Sequence, residues 1–393
     1  MADQDPIVIV GMARTPMGGL LGEMSNFSAN ELGALAVKAA MADAGLGTSD
    51  AQEIIMGNCL PAGQGQAPAR QAGIKAEMDI GLEATTINKM CGSGMQAVRM
   101  GVGSIMAGDA DVVIAGGMES MTNAPHLVDL RKGHKYGHAG MKDHMALDGL
   151  EDAYEGNPMG VFADMIATEY QFTREQQDAY ALETLSRAQK ATEEGRFKRE
   201  IVPVTVKSRA GESVIDTDEL PRTARPDKIP QLRPAFSRDG TVTAANASAI
   251  SDGAAALVLM KQSEAAKRGL KPIARIVSSA AHAHEPKYFT TAPVPAMKKA
   301  LEKAGWDAKD VDLYEINEAF AVVPMIAMKE LGLEHDRVNV NGGACAMGHP
   351  IGASGARVLV TLIAAMEDRD AKKGVASLCI GGGEGIAMCV ERD

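Results

Sequence analysis

Val37–Leu60, VKAAMADAGLGTSDAQEIIMGNCL, lies without a gap on Met297–Phe320, MKKALEKAGWDAKDVDLYEINEAF. Lys38, Ala40, Ala44, Gly45 and Asp50 return as Lys298, Ala300, Ala304, Gly305 and Asp310, an offset of 260 positions (298 − 38). Each copy reads as an amphipathic helix, a glycine stop and a buried strand. The likeness extends outward from there. PIVIVGMA from Pro6 echoes PIARIVSSA from Pro272, and VVIAGGMESM from Val112 echoes SLCIGGGEGIAM from Ser377. Self-similarity of this kind marks a duplicated unit, so the expected fold class is α/β with two similar halves.

The duplication also orders the reactive side chains. In Asn88–Gly108, NKMCGSGMQAVRMGVGSIMAG, and in Asn341–Met366, NGGACAMGHPIGASGARVLVTLIAAM, a turn with a reactive residue precedes a long apolar helix. Cys91 and His349 therefore stand at similar helix mouths. Halves packed about a pseudo-twofold axis bring strand ends and helix N-termini to one place, where open α/β sheets collect their ligands. A single cysteine in such a turn is more often a small core residue, and a lone histidine is more often a turn or cap residue. Their matched places in a repeat favour the functional reading. A helix N-terminus and an adjacent imidazole lower a thiol pKa from its free value of about 8.5, so Cys91 is expected to supply nucleophilic thiolate. Cys379, in SLCIGGGEG, offers a second thiol suited to removing a proton from carbon beside a thioester. Asn317, in NEAFA after the strand VDLYEI, can hold a water or an oxygen, or serve only as a cap.

Composition narrows the alternatives. A chain of 393 residues with 46% hydrophobic content buries a large core in two or three domains. A formal net charge of -11 argues against nucleic acid or an anionic membrane as partner. MADQDPIVIV has no basic run before its apolar residues, and no stretch approaches the roughly 18 apolar residues of a spanning helix. A soluble, unprocessed, cytoplasmic protein is expected. The five cysteines, Cys59, Cys91, Cys345, Cys379 and Cys389, are too scattered for a disulfide framework, and the histidines form no HExxH pattern. Neither a metal nor a bound cofactor is expected.

NKMCGSG, NEAFA, NGGACAMGHPIGASGAR and CIGGGEG, in this order and spacing, resemble the four catalytic blocks of the thiolase family. The resemblance runs nearly end to end and includes GTVTAANASAISDGAAAL before the second half. It implies a five-layered αβαβα core of two similar halves with an inserted loop domain. On this chain the first half is 1–121 plus 250–271, the insertion 122–249 and the second half 272–393. By the same resemblance, Cys91 accepts an acyl group from coenzyme A, His349 deprotonates it, and a water on Asn317 helps His349 stabilise an enolate. Cys379 exchanges the α-proton, and the backbone N–H groups of Cys91 and Gly381 form a second oxyanion site.

The implied reaction is the reversible Claisen condensation of two acetyl-CoA to acetoacetyl-CoA plus CoA, with coenzyme A as substrate and a homotetramer as the assembly. Arg222 in DTDELPR is implied near the nucleotide phosphates, inside a stretch, Arg196–Arg238, with 10 basic against 6 acidic residues. Ser248 is implied at the pantetheine arm, and Met159, Phe236, Ala319 and Phe320 at the pocket wall. Pro158 before Met159 resembles longer-chain degradative members, whereas DLRKGHKYGHAGMKDHMALDGLEDAYEG resembles the loop of short-chain ones; the acetyl-specific reading is preferred. Thiolysis of longer 3-ketoacyl-CoA is the alternative. Cys379 argues against a decarboxylating condensing enzyme, and the intact set of four argues against a noncatalytic relative.

Overall fold

The computed structural model describes residues 5–208 and 211–393, so Arg209 of the basic stretch lies outside the described residues. Along the chain run β1 (Ile7–Arg14), β2 (Gly18–Gly19), β3 (Glu53–Gly57), β4 (Glu83–Ile87) and β5 (Val112–Ser120). Two small hairpins follow, β6 (His126–Leu127) with β7 (Lys142–Asp143) and β8 (Val204–Ser208) with β9 (Gly211–Ile215). The chain then forms β10 (Ser251–Lys261), β11 (Ala274–Ala283), β12 (Leu313–Ile316), β13 (Lys373–Ile380) and β14 (Glu384–Glu391).

The sequence repeat is a repeat of topology. Among the described residues the strand order is β12-β13-β14-β11-β1-β10-β5-β3-β4, with β2 attached to β10. Read outward from the middle, one half is β1, β10, β5, β3, β4 and the other β11, β14, β13, β12. β10 is antiparallel to both its neighbours, as β14 is to its own, while β3 is parallel to β5 as β12 is to β13. The second half replaces the counterpart of β4 with an isolated parallel bridge, Tyr314 to Val338. The halves join through one short antiparallel seam, Val8 to Arg275 and Ile9 to Ala274.

Burial explains the near-continuous apolar runs. Every residue of β1 is buried: Ile7, Ile9 and Met12 enter one core, and Val8, Val10 and Ala13 another. The change from odd to even numbers follows from the register shift between Ile9 and Gly11, since one extra residue flips the side-chain alternation. The first core lies between the two halves and holds the helices Ser93–Ala107 and Ile351–Asp368. The second covers the outer face of the first half with Ala29–Asp43 and Pro68–Lys75. A third covers the outer face of the second half with Pro293–Ala304 and Val322–Leu331. The layers are therefore α, β, α, β, α.

Close backbone contact fixes the two central helices. A methyl group at Gly355 would sit 2.3 Å from the Met95 nitrogen, and one at Gly94 would sit 2.5 Å from the Ala356 nitrogen. Only hydrogen fits in either place, so the N-terminal turns of both helices meet. Gly355→Ala is expected to cost about 1–3 kcal/mol, because the obstructing atoms are backbone and cannot rotate away. Thermal unfolding measures this as a lowered Tm.

The segment from 122 to 249 packs across this core. Its long helix, Arg174–Glu193, starts with a Thr173–Gln176 capping box and anchors through Tyr180 and Thr184, whose hydroxyls donate to buried Glu318 at 2.9 Å each. Arg14 of β1 reaches the same segment, donating to Glu200 at 2.5 Å and to Asp218 at 2.7 and 2.9 Å. Removing one partner of so buried a set leaves an uncompensated charge.

Candidate active site

Cys91 sits one residue before the helix N-cap Gly92, on a turn that the sequence bends sharply. Met90 adopts the left-handed conformation (φ 46°), a strained choice for a non-glycine residue. Ser93 secures it by accepting from the Lys89 N–H at 2.8 Å and donating to the Met90 carbonyl at 2.7 Å. The Lys89–Glu384 ion pair ties this turn of the first half to β14 of the second.

The thiol of Cys91 faces the end of β13. The backbone N–H groups of Gly381 and of Cys91 itself act on the sulfur and favour its thiolate. Burial outweighs them and, with a smaller contribution from the charge of Glu119, pushes the thiol up to about 11. The expectation of a lowered pKa is thus corrected: the helix mouth supplies too little charge stabilisation to offset desolvation. Cys379 is wholly buried, lies near enough for the Cys91 charge to act on it, and is held well above the ordinary thiol range, chiefly by burial. Both thiols are therefore neutral. Alkylation of Cys91 by a neutral electrophile is expected to accelerate about tenfold per pH unit between pH 7 and 9, following the thiolate fraction. A plateau near pH 7 in the stopped-flow rates would show a low-pKa thiolate instead.

His349 occupies the equivalent place before the second central helix, whose N-cap is Pro350. Its own N–H donates to the Ala249 carbonyl at 3.0 Å. The Ser354 hydroxyl donates to the Pro350 carbonyl at 2.9 Å and lies 2.6 Å from His349 Nδ1. With the hydroxyl proton directed to Pro350, Nδ1 donates to Ser354 and Nε2 keeps the free lone pair. Burial, then the charge of Arg357, push this imidazole down to about 3. It is neutral at physiological pH, which suits a proton acceptor. Asn317 Nδ2 lies against the ring, 3.4 Å from Nδ1 and 3.5 Å from Nε2.

These two groups of residues belong to one place. Cys91 packs against a cluster of Cys59, Leu60, Met121 and Ile351, and Ile250 packs against the same cluster; Ile250 and Ile351 flank the Ala249–His349 contact. Glu119, at the end of β5, accepts from the backbone of Cys59 (2.9 Å), Leu60 (3.1 Å) and Gly352 (2.8 Å) and from Asn58 Nδ2 (2.7 Å). One carboxylate thus caps the second central helix with a side chain from the first half. Its acceptor bonds to four donors persist although burial raises its pKa to about 7.

A patch of mostly apolar side chains adjoins Gly381. A methyl group on Gly381 would lie 3.9 Å from the Met159 methyl, and the Phe236 ring packs directly on Gly160. Phe320 meets Phe236 and Phe289 edge-on, with centroids 6.0 and 6.2 Å apart. Ser248 reaches the Ala319 carbonyl with both its backbone N–H and its hydroxyl, at 3.0 Å each. Met159, Phe236, Ser248, Ala319 and Phe320 therefore form one connected patch that reaches Gly381 through Met159. Arg222 stands apart at the surface, paired with Glu23 at 2.5 Å. Sequence reasoning passed over Ser354, Arg357 and Glu119. The first two were in view within GHPIGASGAR, where a three-residue spacing places them on one helical face.

Residues 7–263 match the family model described as the N-terminal domain of thiolase, and residues 270–392 match that of its C-terminal domain. The chain belongs to the thiolase family. Its relatives include the acetyl-CoA acetyltransferases of Rhizobium meliloti, 52% identical over 98% of both chains, and of Shinella zoogloeoides, 49% identical over 98% of this chain and 99% of that one. Among solved structures, the Acat5 thiolase of Ascaris suum in complex with coenzyme A superposes with a TM-score of 0.94 at 43% identity, covering 99% of this chain and 100% of that one.

Proposed function

We propose that this chain is an acetyl-CoA C-acetyltransferase, condensing two acetyl-CoA into acetoacetyl-CoA and CoA and running the reverse thiolysis through an acetylated Cys91. The supporting observations are the Gly381 N–H acting on the Cys91 sulfur, a Cys379 near enough to feel the Cys91 charge, and a neutral His349 at the head of the helix that packs on the Cys91 helix. Cys91 Sγ attacks the acetyl carbonyl while His349 Nε2 takes its proton. The C–S bond to CoA breaks, and the departing thiolate takes the Cys379 proton. The resulting Cys379 thiolate is a strong base for the same reason that it was a reluctant acid: burial disfavours its charge. It removes the α-proton of a second acetyl-CoA, the enolate attacks acetyl-Cys91, and the released Cys91 thiolate recovers the proton from His349.

Both thiols and the imidazole end as they began, so the cycle balances without a metal or a resident cofactor. The N–H groups of Cys91 and Gly381 receive the charge on the thioester oxygen, and a typical donor of this kind contributes about 3 kcal/mol to the transition state. A water on Asn317 together with protonated His349 receives the enolate oxygen. Arg222 exchanges Glu23 for the CoA phosphates. A homotetramer in the cytoplasm is the setting that the family resemblance implies; no helix among the described residues is long and apolar enough to cross a membrane.

The acetyl-CoA acetyltransferases of Rhizobium meliloti and Shinella zoogloeoides, 52% and 49% identical over 98% of this chain, support acetyl specificity. The kcat/KM for thiolysis is expected to be roughly 10²-fold higher for acetoacetyl-CoA than for 3-ketooctanoyl-CoA. A preference for the longer substrate would assign the chain to broad-specificity 3-ketoacyl-CoA thiolysis.

A further inference from the structure

We infer that Arg357 is a positioning residue for the proposed reaction: it holds the Asn317 amide with its oxygen turned inward and its nitrogen toward His349. This rests on the reading of Asn317 and His349 given above.

An asparagine amide has two nearly isosteric ends with opposite hydrogen-bonding character. Only the nitrogen can donate to a water or to an enolate oxygen beside His349. The oxygen presented there would repel the developing charge. Something must therefore select the orientation, and a guanidinium can, because it has donors and no acceptor. Arg357 Nη2 donates to Asn317 Oδ1 at 3.1 Å, which leaves Nδ2 against the imidazole at 3.4–3.5 Å.

The supporting residues come from the same two elements. Glu315 and Asn317 are two positions apart at the end of β12, so both side chains leave the strand on one face. Glu315 Oε2 stands 3.6 Å from Arg357 Nη1, and both residues are almost wholly buried. Arg357 is eight positions beyond His349, on the helix that His349 introduces. Its charge also disfavours protonation of His349, second to burial. Among the described residues Arg357 Nε has no hydrogen-bond partner, and Nη1 has only the 3.6 Å ion pair with Glu315. Burying a cation so incompletely paired is costly, and a hydrophobic residue of similar volume would generally serve stability as well. Orientation of the catalytic amide accounts for its presence.

A double-mutant cycle in acetoacetyl-CoA thiolysis separates this role from a purely structural one. Asn317→Ala is expected to lower kcat by roughly 10²-fold, the scale of losing one oxyanion donor. Arg357→Gln should lower kcat by about 10-fold or more with KM unchanged, because its own amide no longer enforces one orientation on Asn317. The double variant should fall within about threefold of Asn317→Ala alone, since Arg357 acts through an amide no longer present. Arg357→Lys, which keeps the charge and a donor, should recover part of kcat. Should Arg357→Gln fail to fold, Arg357→Lys carries the same cycle, with a smaller loss that again vanishes beside Asn317→Ala. Additive losses, or a change confined to KM, would overturn the inference and leave the active-site reading standing. A normal kcat for Asn317→Ala would overturn both.

Discussion

Replacing Cys91 with alanine is expected to lower acetyl transfer between CoA thioesters by about 10⁴-fold or more, as removal of a catalytic nucleophile generally does. The residual rate should show no covalent intermediate. The size of the effect follows from the geometry: the Gly381 and Cys91 N–H groups act on this sulfur, whereas Cys59 and Cys345 are held well above the ordinary thiol range by burial and lie beside carboxylates. Neither can take over. The variant should remain folded, because deletion of a single sulfur opens little space. Steady-state turnover in both directions, with a thermal melt beside it, measures the loss. Turnover within tenfold of the wild type would remove Cys91 from the mechanism.

Cys379→Ala is expected to separate the two halves of the reaction. Condensation and thiolysis should each fall by about 10²–10⁴-fold, the range for a positioned general base or acid. Acetylation of Cys91 should suffer much less, because His349 can return the Cys91 proton to the departing CoA thiolate when the second thiol is missing. Rapid-quench measurement of acetyl incorporation, set against turnover, gives the ratio. The buried position of Cys379 makes alanine a small cavity mutation as well, and Cys379→Ser, of nearly the same size, controls for packing.

The sequence made the duplication and the order of reactive residues legible, since Gly45 and Gly305 end equivalent helices and Cys91 and His349 open equivalent ones. Which helices lie in the middle was not legible. That depends on Gly94 and Gly355 meeting across more than 250 residues, and an apolar helix has the same periodicity wherever it packs. Burial set the protonation states against local expectation. A helix mouth and a nearby imidazole predict a low thiol pKa, but desolvation is a property of the whole enclosure and left both Cys91 and Cys379 protonated. Glu119 escaped notice because its partners, Cys59 and Leu60 on one side and Gly352 on the other, come from two widely separated segments. Ser354 and Arg357 were visible as letters; the partners of Ser354, His349 and Pro350, lie in the same stretch, whereas those of Arg357, Glu315 and Asn317, come from a strand that only the fold brings near.

The central claim is that one sulfur carries the acetyl group between two CoA molecules while a second sulfur manages the proton. Peptide mass mapping of the Cys379→Ala protein after acid quench from acetyl-CoA tests it directly. The account predicts one acetyl group per chain, on the peptide containing Cys91, accumulating because the next step is blocked. An acetyl group on another residue, or none while the variant still exchanges label between acetyl-CoA and free CoA, would contradict it.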